Sequence, residues 1–294
     1  PLNAVAPAGS QFEVFDSLLS EAAVMGFEFG YTVVNHRALG LWEAQFGDFA
    51  NGAQVIIDQF LAASETKWGQ PSGLTLLLPH GHEGQGPEHS SARMERFLAL
   101  CAEDNLRVAY PSTPCSYFQL LRRQGRDPVE KPLVVFTPKS LLRHPRCVSS
   151  LEELAMGRFE PLLDDVAVDP ARVRRVVLVS GKLYYDLLKG REDRRADQVA
   201  LVRLEQLYPF PATELGKVIG RYPVAAELAW AQEEPRNMGG WRFLRDRFQE
   251  GEVPAAGARG LRYVGRAPSA SPAPGSHKTH VAEQDAIVRE ALEG

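Results

Sequence analysis

Residues 73–97, GLTLLLPHGHEGQGPEHSSARMERF, carry the clearest fold signal in this chain. The run GLTLLLP is almost continuously apolar and is bounded by glycine and proline, which predicts a strand buried on both faces. The segment SARMERFLALCAED has the spacing of an amphipathic helix. A glycine-rich loop between them holds His80, His82 and His89. The stretch therefore predicts strand, loop and helix, the repeating unit of a parallel α/β sheet.

The same alternation of strand and helix extends over both halves of the chain. LRVAYPS and KPLVVFTPK predict strands in the first half, and RRVVLVSG, QVALVRLEQL and AELAWAQEEP predict strands in the second. The pattern weakens over residues 146–172, which we interpret as a linker between a first unit, 1–145, and a second unit, 173–294. The chain is predicted to be an α/β protein with two doubly wound, mostly parallel sheets.

Composition excludes several classes of function. The chain has 294 residues, of which 44% are hydrophobic, so it can form one to three domains with buried cores. Its net charge of −4 gives no electrostatic case for nucleic acid or a polybasic membrane anchor. Cys101, Cys115 and Cys147 lack CxxC spacing, so neither a disulfide framework nor a cysteine zinc site is predicted. No apolar run approaches the ~18 residues of a membrane helix. These features indicate a reducing, aqueous compartment.

The histidine-rich loop has four interpretations on residue chemistry alone. A metal site is weakly supported, because the histidines lack H-E-x-x-H spacing. A phosphate loop is also weak, because GHEGQG lacks G-x-G-x-x-G spacing and Glu83 and Glu88 would repel an anion. An ordinary solvated surface loop stays open. A loop that presents histidine to a cofactor fits best, because open α/β sheets bind ligands at the carboxyl ends of strands.

Several long segments resemble the thiamine-dependent first component of 2-oxoglutarate dehydrogenase, in its bacterial form. They are DSLLSEAAVMGFEFGY, LWEAQFGDFANGAQVIIDQF, LLLPHGHEGQGPEHSSARMERFL, VVFTPKSLLRHP, AQEEPRNMGGW and YVGRAPSASPAPGSHKTHVAEQ. The resemblance covers essentially the whole chain. It implies that residues 1–145 are a transketolase-like pyrimidine-binding domain that lacks its start, and that residues 173–294 are the carboxy-terminal domain. Since the chain begins at Pro1 and contains no GDG…N-type diphosphate-binding motif, we expect it to be part of a longer protein and inactive alone.

The resemblance also implies an activity. The family decarboxylates 2-oxoglutarate oxidatively on thiamine diphosphate in the tricarboxylic acid cycle and transfers the succinyl group to the lipoyl group of a dihydrolipoyl succinyltransferase. Mg²⁺ ligands are expected in the missing diphosphate-binding domain. A homodimer in the bacterial cytoplasm is expected, with neither nucleic acid nor membrane as a partner. The alternatives are a 2-oxoadipate dehydrogenase, a non-oxidative 2-oxoglutarate decarboxylase or carboligase, and a non-catalytic fragment.

Glu21 in LLSEAAVMGFEFG matches the glutamate that this superfamily places on the aminopyrimidine ring. A proton shared with a ring nitrogen favours the imino tautomer, whose exocyclic nitrogen can then deprotonate the thiazolium carbon. Such a carboxyl works best when it is desolvated, and the apolar neighbours Leu18, Leu19 and Met25 are compatible with such an environment. The other interpretation of Glu21 is a first-turn carboxylate favoured by the helix dipole.

Two phenylalanines and three histidines complete the site that the resemblance implies. Phe49 in EAQFGDF stands where related enzymes stack an aromatic ring on the pyrimidine; Phe46 is the competing choice, and either ring could be plain core. His89 in GPEHSS matches a histidine that manages protons next to the substrate. His80 and His82 are predicted to line the same substrate loop.

The remaining charged groups are predicted to be mostly structural. Glu233 and Glu234 in AQEEP are expected to end a strand and order the following GG turn. Arg122, Arg123 and Lys131 form a basic group that is interpreted as a solvated surface. A site for an anionic effector, such as a nucleotide or coenzyme A, is the weaker interpretation of this group.

Overall fold

Two five-stranded sheets form the framework of the computed structural model, which describes residues 1–293. The ten strands are β1 (Leu41–Glu43), β2 (Thr75–Leu78), β3 (Arg107–Ala109), β4 (Leu133–Phe136), β5 (Leu162–Leu163), β6 (Arg175–Val179), β7 (Val199–Leu204), β8 (Gln206–Tyr208), β9 (Glu227–Pro235) and β10 (Leu261–Arg266).

Helices of very different lengths connect the strands. The α-helices are α1 (Leu2–Val5), α2 (Glu21–Val34), α3 (Gln54–Ile56), α4 (Ser64–Trp68), α5 (Met94–Ala99), α6 (Pro114–Gln124), α7 (Leu151–Met156), α8 (Leu183–Arg194), α9 (Ala212–Ile219), α10 (Trp241–Gln249) and α11 (His277–Glu293). Short 3₁₀ helices cover Gly47–Ala53, Pro87–His89, Lys139–Arg143, Pro170–Arg172 and Pro254–Ala256, and Ile57–Leu61 forms a π-helical turn.

The strand order is β1-β2-β4-β3-β8 in the first sheet and β10-β9-β6-β7-β5 in the second. All pairs are parallel except β3 with β8 and β5 with β7, which are antiparallel and lie at sheet edges. Two mostly parallel sheets with intervening helices confirm the predicted fold class. Strand β8 follows β7 directly in the chain, but β7 belongs to the second sheet and β8 to the first.

The central strands are apolar throughout because helices cover both of their faces. In β2, Leu76 and Leu78 belong to one buried cluster, whereas Leu77 belongs to another on the opposite face. In β6, Val176 and Leu178 pack on one side and Val177 and Val179 on the other. Because alternate strand residues point to opposite faces, a strand that is buried on both sides needs an unbroken apolar run.

The histidine loop, residues 79–93, leaves the carboxyl end of β2 and leads into α5. It lies against the 3₁₀ helix Gly47–Ala53, where a side chain at Gly47 could not be accommodated: a Cβ there would lie 2.4 Å from Ala92 Cβ and 2.5 Å from the Pro79 oxygen. The carboxyl end of β9 meets the loop from the second sheet. Ends of internal parallel strands from both sheets thus converge at one place, as expected for a ligand site. Within residues 1–293, no helix has the length and apolar character to cross a membrane.

Candidate active site

Glu21 is the first residue of α2 and lies at the junction between this helix and the 3₁₀ helix Gly47–Ala53. Its side chain is half-buried, and its Oε2 would lie only 3.5 Å from a Cβ added to Gly52. This distance is an ordinary van der Waals contact, so the carboxylate packs directly beside Gly52. The carboxylate is therefore held against the helix that carries Phe49.

The apolar neighbours of Glu21 differ in burial. Met25 is fully buried, but Leu18 and Leu19 are 77% and 97% exposed. Within this chain, Met25 is therefore the buried apolar residue among the three neighbours considered for Glu21, and the two leucines face solvent.

A continuous row of rings extends from the 3₁₀ helix to the histidine loop. The rings of Phe49 and Phe46 meet edge to face with centroids 5.9 Å apart. Phe46 stacks on the His89 imidazole at 4.1 Å, and the Lys139 Nζ lies 3.6 Å from the same phenyl centroid. The structure thus brings Glu21, Phe49, Phe46 and His89 together, and their catalytic and cofactor-binding roles stay predictions.

His80 is buried, with 2% of its surface exposed, and both ring nitrogens are engaged. The backbone N–H of Ala92 donates to Nδ1 over 2.9 Å, so Nδ1 carries no proton. Nε2 then carries the hydrogen and donates to Glu234 Oε1 over 2.7 Å. His80 is thus a neutral imidazole that joins the histidine loop to the second sheet.

His82 is also buried, with 1% of its surface exposed. Its Nε2 lies 2.9 Å from the Pro272 carbonyl oxygen, which can only accept, so Nε2 carries the ring hydrogen. Nδ1 is then a buried acceptor without a hydrogen-bond partner among the residues that the structure describes. Burial lowers the pKa of the His82 imidazole from 6.5 to about 4, so this ring is neutral near pH 7.

The loop therefore separates its three histidines. His89, on the 3₁₀ helix Pro87–His89, is exposed and free to meet a ligand, whereas the imidazoles of His80 and His82 are turned into the protein. The assignment of His80 and His82 to the substrate loop stays a prediction. Each imidazole has a hydrogen-bond partner in the carboxy-terminal half of the chain, Glu234 for His80 and Pro272 for His82.

Glu233 and Glu234 at the end of β9 are the functional candidates that sequence reasoning missed. Both are 4% exposed and hydrogen-bonded. Glu233 Oε1 accepts from Lys182 Nζ at 2.5 Å and from Gln284 Nε2 at 2.9 Å. Burial alone would raise the pKa of Glu233, but the interactions with Lys182, His82 and Arg266 together outweigh burial and lower this pKa to about 2. The sequence feature that could have revealed them is a pair of adjacent carboxylates in an otherwise apolar strand. A buried charge without a partner there would be very costly, so the pair predicts partners.

Members of the predicted basic group have separate partners within the chain. Arg123 donates to Gln206 Oε1 at 2.7 Å and lies over the Phe159 ring at 4.4 Å. Lys131 instead pairs with Glu65 at 2.6 Å. In the part of the chain that the structure describes, no group of three or more histidine, cysteine, aspartate or glutamate side chains could hold a metal ion.

Comparison with known families defines the class of protein. Residues 3–145 match the transketolase pyrimidine-binding domain family, and residues 148–292 match the 2-oxoglutarate dehydrogenase C-terminal family. The chain therefore belongs to the family of 2-oxoglutarate dehydrogenase first components, as a pyrimidine-binding domain followed by a carboxy-terminal domain.

Individual relatives are similarly specific. The chain is 51% identical over 293 residues to the 2-oxoglutarate dehydrogenase E1 component of Cupriavidus necator, 50% identical over 293 residues to that of Azotobacter vinelandii and 52% identical over 294 residues to that of Rickettsia felis. Each match covers 99% of this chain but only 30–31% of the relative. The chain thus spans about a third of the length of the curated relatives that it matches. The predicted resemblance to this bacterial family is confirmed.

Proposed function

We propose that this chain supplies the pyrimidine-binding and carboxy-terminal parts of a thiamine diphosphate-dependent 2-oxoglutarate dehydrogenase (succinyl-transferring). The reaction is the oxidative decarboxylation of 2-oxoglutarate, with transfer of the succinyl group to a lipoyl group. The names of the relatives support this choice over the alternatives. The observation that carries it is the row of rings Phe49, Phe46 and His89, which starts on the 3₁₀ helix that also packs against Glu21 at Gly52.

The residues present fit an aminopyrimidine. Such a ring offers a flat apolar face and nitrogen atoms at its edge, so it needs an aromatic or apolar neighbour and a carboxyl group. Phe49 and Glu21 lie on two elements in contact, and the Glu21 carboxylate packs beside Gly52 of the helix that carries Phe49. Glu21, Phe49 and Phe46 would therefore hold this part of the cofactor.

When bound, thiamine diphosphate supplies the electron sink that decarboxylation of a 2-oxo acid requires. Glu21 holds a proton at the ring nitrogen of the pyrimidine. Phe46 and Phe49 orient the ring and exclude water from one side of it. His89, exposed next to this row, moves protons at the substrate, since imidazole titrates near neutral pH.

The proposal includes partners and location. Two copies of the protein form a homodimer, in which the pyrimidine-binding domain of one subunit meets a diphosphate-binding domain of the other. That second domain holds Mg²⁺ through its own ligands. The acceptor of the succinyl group is the lipoyl domain of a dihydrolipoyl succinyltransferase, and the complex works in the bacterial cytoplasm as part of the tricarboxylic acid cycle.

The test uses the natural full-length protein with thiamine diphosphate, Mg²⁺ and ferricyanide as electron acceptor. Turnover of 2-oxoglutarate should exceed turnover of 2-oxoadipate. Glu21→Gln should nearly abolish it, because the amide cannot share a proton in the same way. Glu28→Gln is the matched control, since Glu28 lies on the same helix and is also half-buried. Turnover by Glu21→Gln at the rate of Glu28→Gln would refute the role of Glu21, and preference for 2-oxoadipate would refute the assigned substrate.

A further inference from the structure

We propose that Glu233 and Glu234, at the end of β9, are positioning residues that hold the histidine loop and thereby set the location of His89. This inference rests on the proposed function and deepens it. According to this proposal, the carboxy-terminal half of the chain determines where His89 lies next to the substrate. Glu233 and Glu234 are about 150 residues away from the loop in sequence.

The base of the histidine loop is closed by two hydrogen bonds. Ala92 N–H donates to His80 Nδ1, and Gly81 N–H donates to the Ser90 carbonyl oxygen, each over 2.9 Å. These bonds join the two ends of the loop and leave residues 82–89 as its tip. His80 is thus the side chain that links the first residues of the loop to the last.

Glu234 determines how His80 makes this link. Its carboxylate accepts from His80 Nε2, which places the ring hydrogen on Nε2 and leaves Nδ1 as an acceptor for Ala92. The Tyr110 hydroxyl, in addition, donates to the His80 carbonyl oxygen at 3.2 Å. Without the carboxylate, a buried Nε2–H would have no acceptor, and the other ring tautomer would break the bond to Ala92.

Glu233 holds the next turn of the loop. Its Oε2 accepts from the His82 backbone N–H at 3.5 Å, while Lys182 and Gln284 hold its Oε1. The Arg266 guanidinium donates to the Glu233 carbonyl oxygen. The carboxylate is thus held by Lys182, which precedes α8, and by Gln284 of α11, while Arg266 of β10 holds the backbone of the same residue. The carboxy-terminal half therefore presents a fixed anionic pair to the loop.

A third contact closes over the loop from α11. Gly84 adopts a left-handed conformation with φ +72°, and a Cβ at this position would lie 2.6 Å from His277 and 3.1 Å from His280. Only glycine permits this approach. The loop is thus held at its base by Glu234, along its first turn by Glu233 and near its tip by the start of α11, with His89 at the far end of the tip.

The experiment uses the natural full-length protein and the variants Glu234→Ala, Glu234→Gln and Glu214→Ala. Glu214 is an exposed residue of α9 and serves as the control. Hydrogen–deuterium exchange of residues 81–91, without cofactor, should become about 10- to 100-fold faster in Glu234→Ala, since a buried donor loses its acceptor. Glu234→Gln should be intermediate, because its amide oxygen still accepts but the charge is lost. Glu214→Ala should exchange like wild type.

A second readout separates positioning from mere stability. With 2-oxoglutarate, kcat per folded active site should fall about 10- to 100-fold in Glu234→Ala, while KM changes little and Glu234→Gln recovers part of the loss. If Glu234→Ala does not fold, Glu234→Gln decides by the same two readouts. Wild-type exchange in both Glu234 variants, or faster exchange with unchanged kcat, would overturn the proposal.

Failure of this proposal can be distinguished from failure of the proposed function. The exchange experiment needs neither cofactor nor substrate. A wild-type protein that does not turn over 2-oxoglutarate would refute the function, while faster exchange in Glu234→Ala would still establish that this carboxylate holds the loop.

Discussion

Acidification should destabilise the fold at His82, whose buried imidazole is neutral in the folded chain. Burial lowers the pKa of this ring from 6.5 to about 4, in spite of the nearby carboxylates of Glu233 and Glu234. The unfolded chain therefore binds more protons than the folded chain between pH 6.5 and about 4. In that window the free energy of unfolding rises with pH. The stability that depends on neutral His82 is therefore lost as the pH falls.

The size of the effect follows from the two pKa values. One pKa unit corresponds to about 1.36 kcal/mol, so protonation of His82 in the folded chain costs about 3 kcal/mol in total. About 2 kcal/mol of this loss should appear between pH 7.5 and pH 5. The carboxylate of Glu233 acts in a separate window: its pKa is lowered from 4.5 to about 2, so its contribution is lost only below pH 4.5.

Urea unfolding followed by circular dichroism at pH 7.5, 6.5, 5.5 and 5.0 measures the effect. His82→Gln keeps a donor for the Pro272 carbonyl oxygen but cannot titrate, so its free energy of unfolding should vary much less with pH. His280→Gln is the comparison, because burial lowers the pKa of His280 in the same direction. It should retain most of the wild-type dependence. A His82→Gln variant that loses stability with the wild-type slope would refute the reasoning.

Three further predictions concern the site and the core. His89→Ala should lower turnover of 2-oxoglutarate by about 10²-fold or more. It should change the free energy of unfolding by less than about 0.5 kcal/mol, because the side chain is exposed. A loss of stability with normal turnover would contradict this. Phe49→Ala in the full-length protein should raise the Kd for thiamine diphosphate by about 10-fold in calorimetric titrations, and an unchanged Kd would remove Phe49 from the cofactor site. Leu178→Ala should cost about 2–5 kcal/mol in urea unfolding, since Leu178 is fully buried. Leu142→Ala, at a position that is 84% exposed, should cost less than about 0.5 kcal/mol, and equal losses in the two variants would contradict the assigned core.

The sequence was sufficient for the framework of this protein. Runs such as GLTLLLP and RRVVLVSG are local patterns, and a strand buried on both faces must be apolar whatever packs against it. The alternation of such runs with helical segments therefore predicted two mostly parallel sheets, as observed. The family was also readable from long motifs such as those around Glu21 and His89, and the family matches over residues 3–145 and 148–292 confirm it.

Only the tertiary structure decided what each polar side chain does. Nothing in the local sequence of the loop states which of its three histidines is buried, yet His80 and His82 are buried and His89 is exposed. Glu233 and Glu234 resembled strand-end residues until the fold placed them against His80 and Lys182. Burial, tautomer and charge depend on neighbours that are far away along the chain, and these neighbours are known only once both sheets have come together.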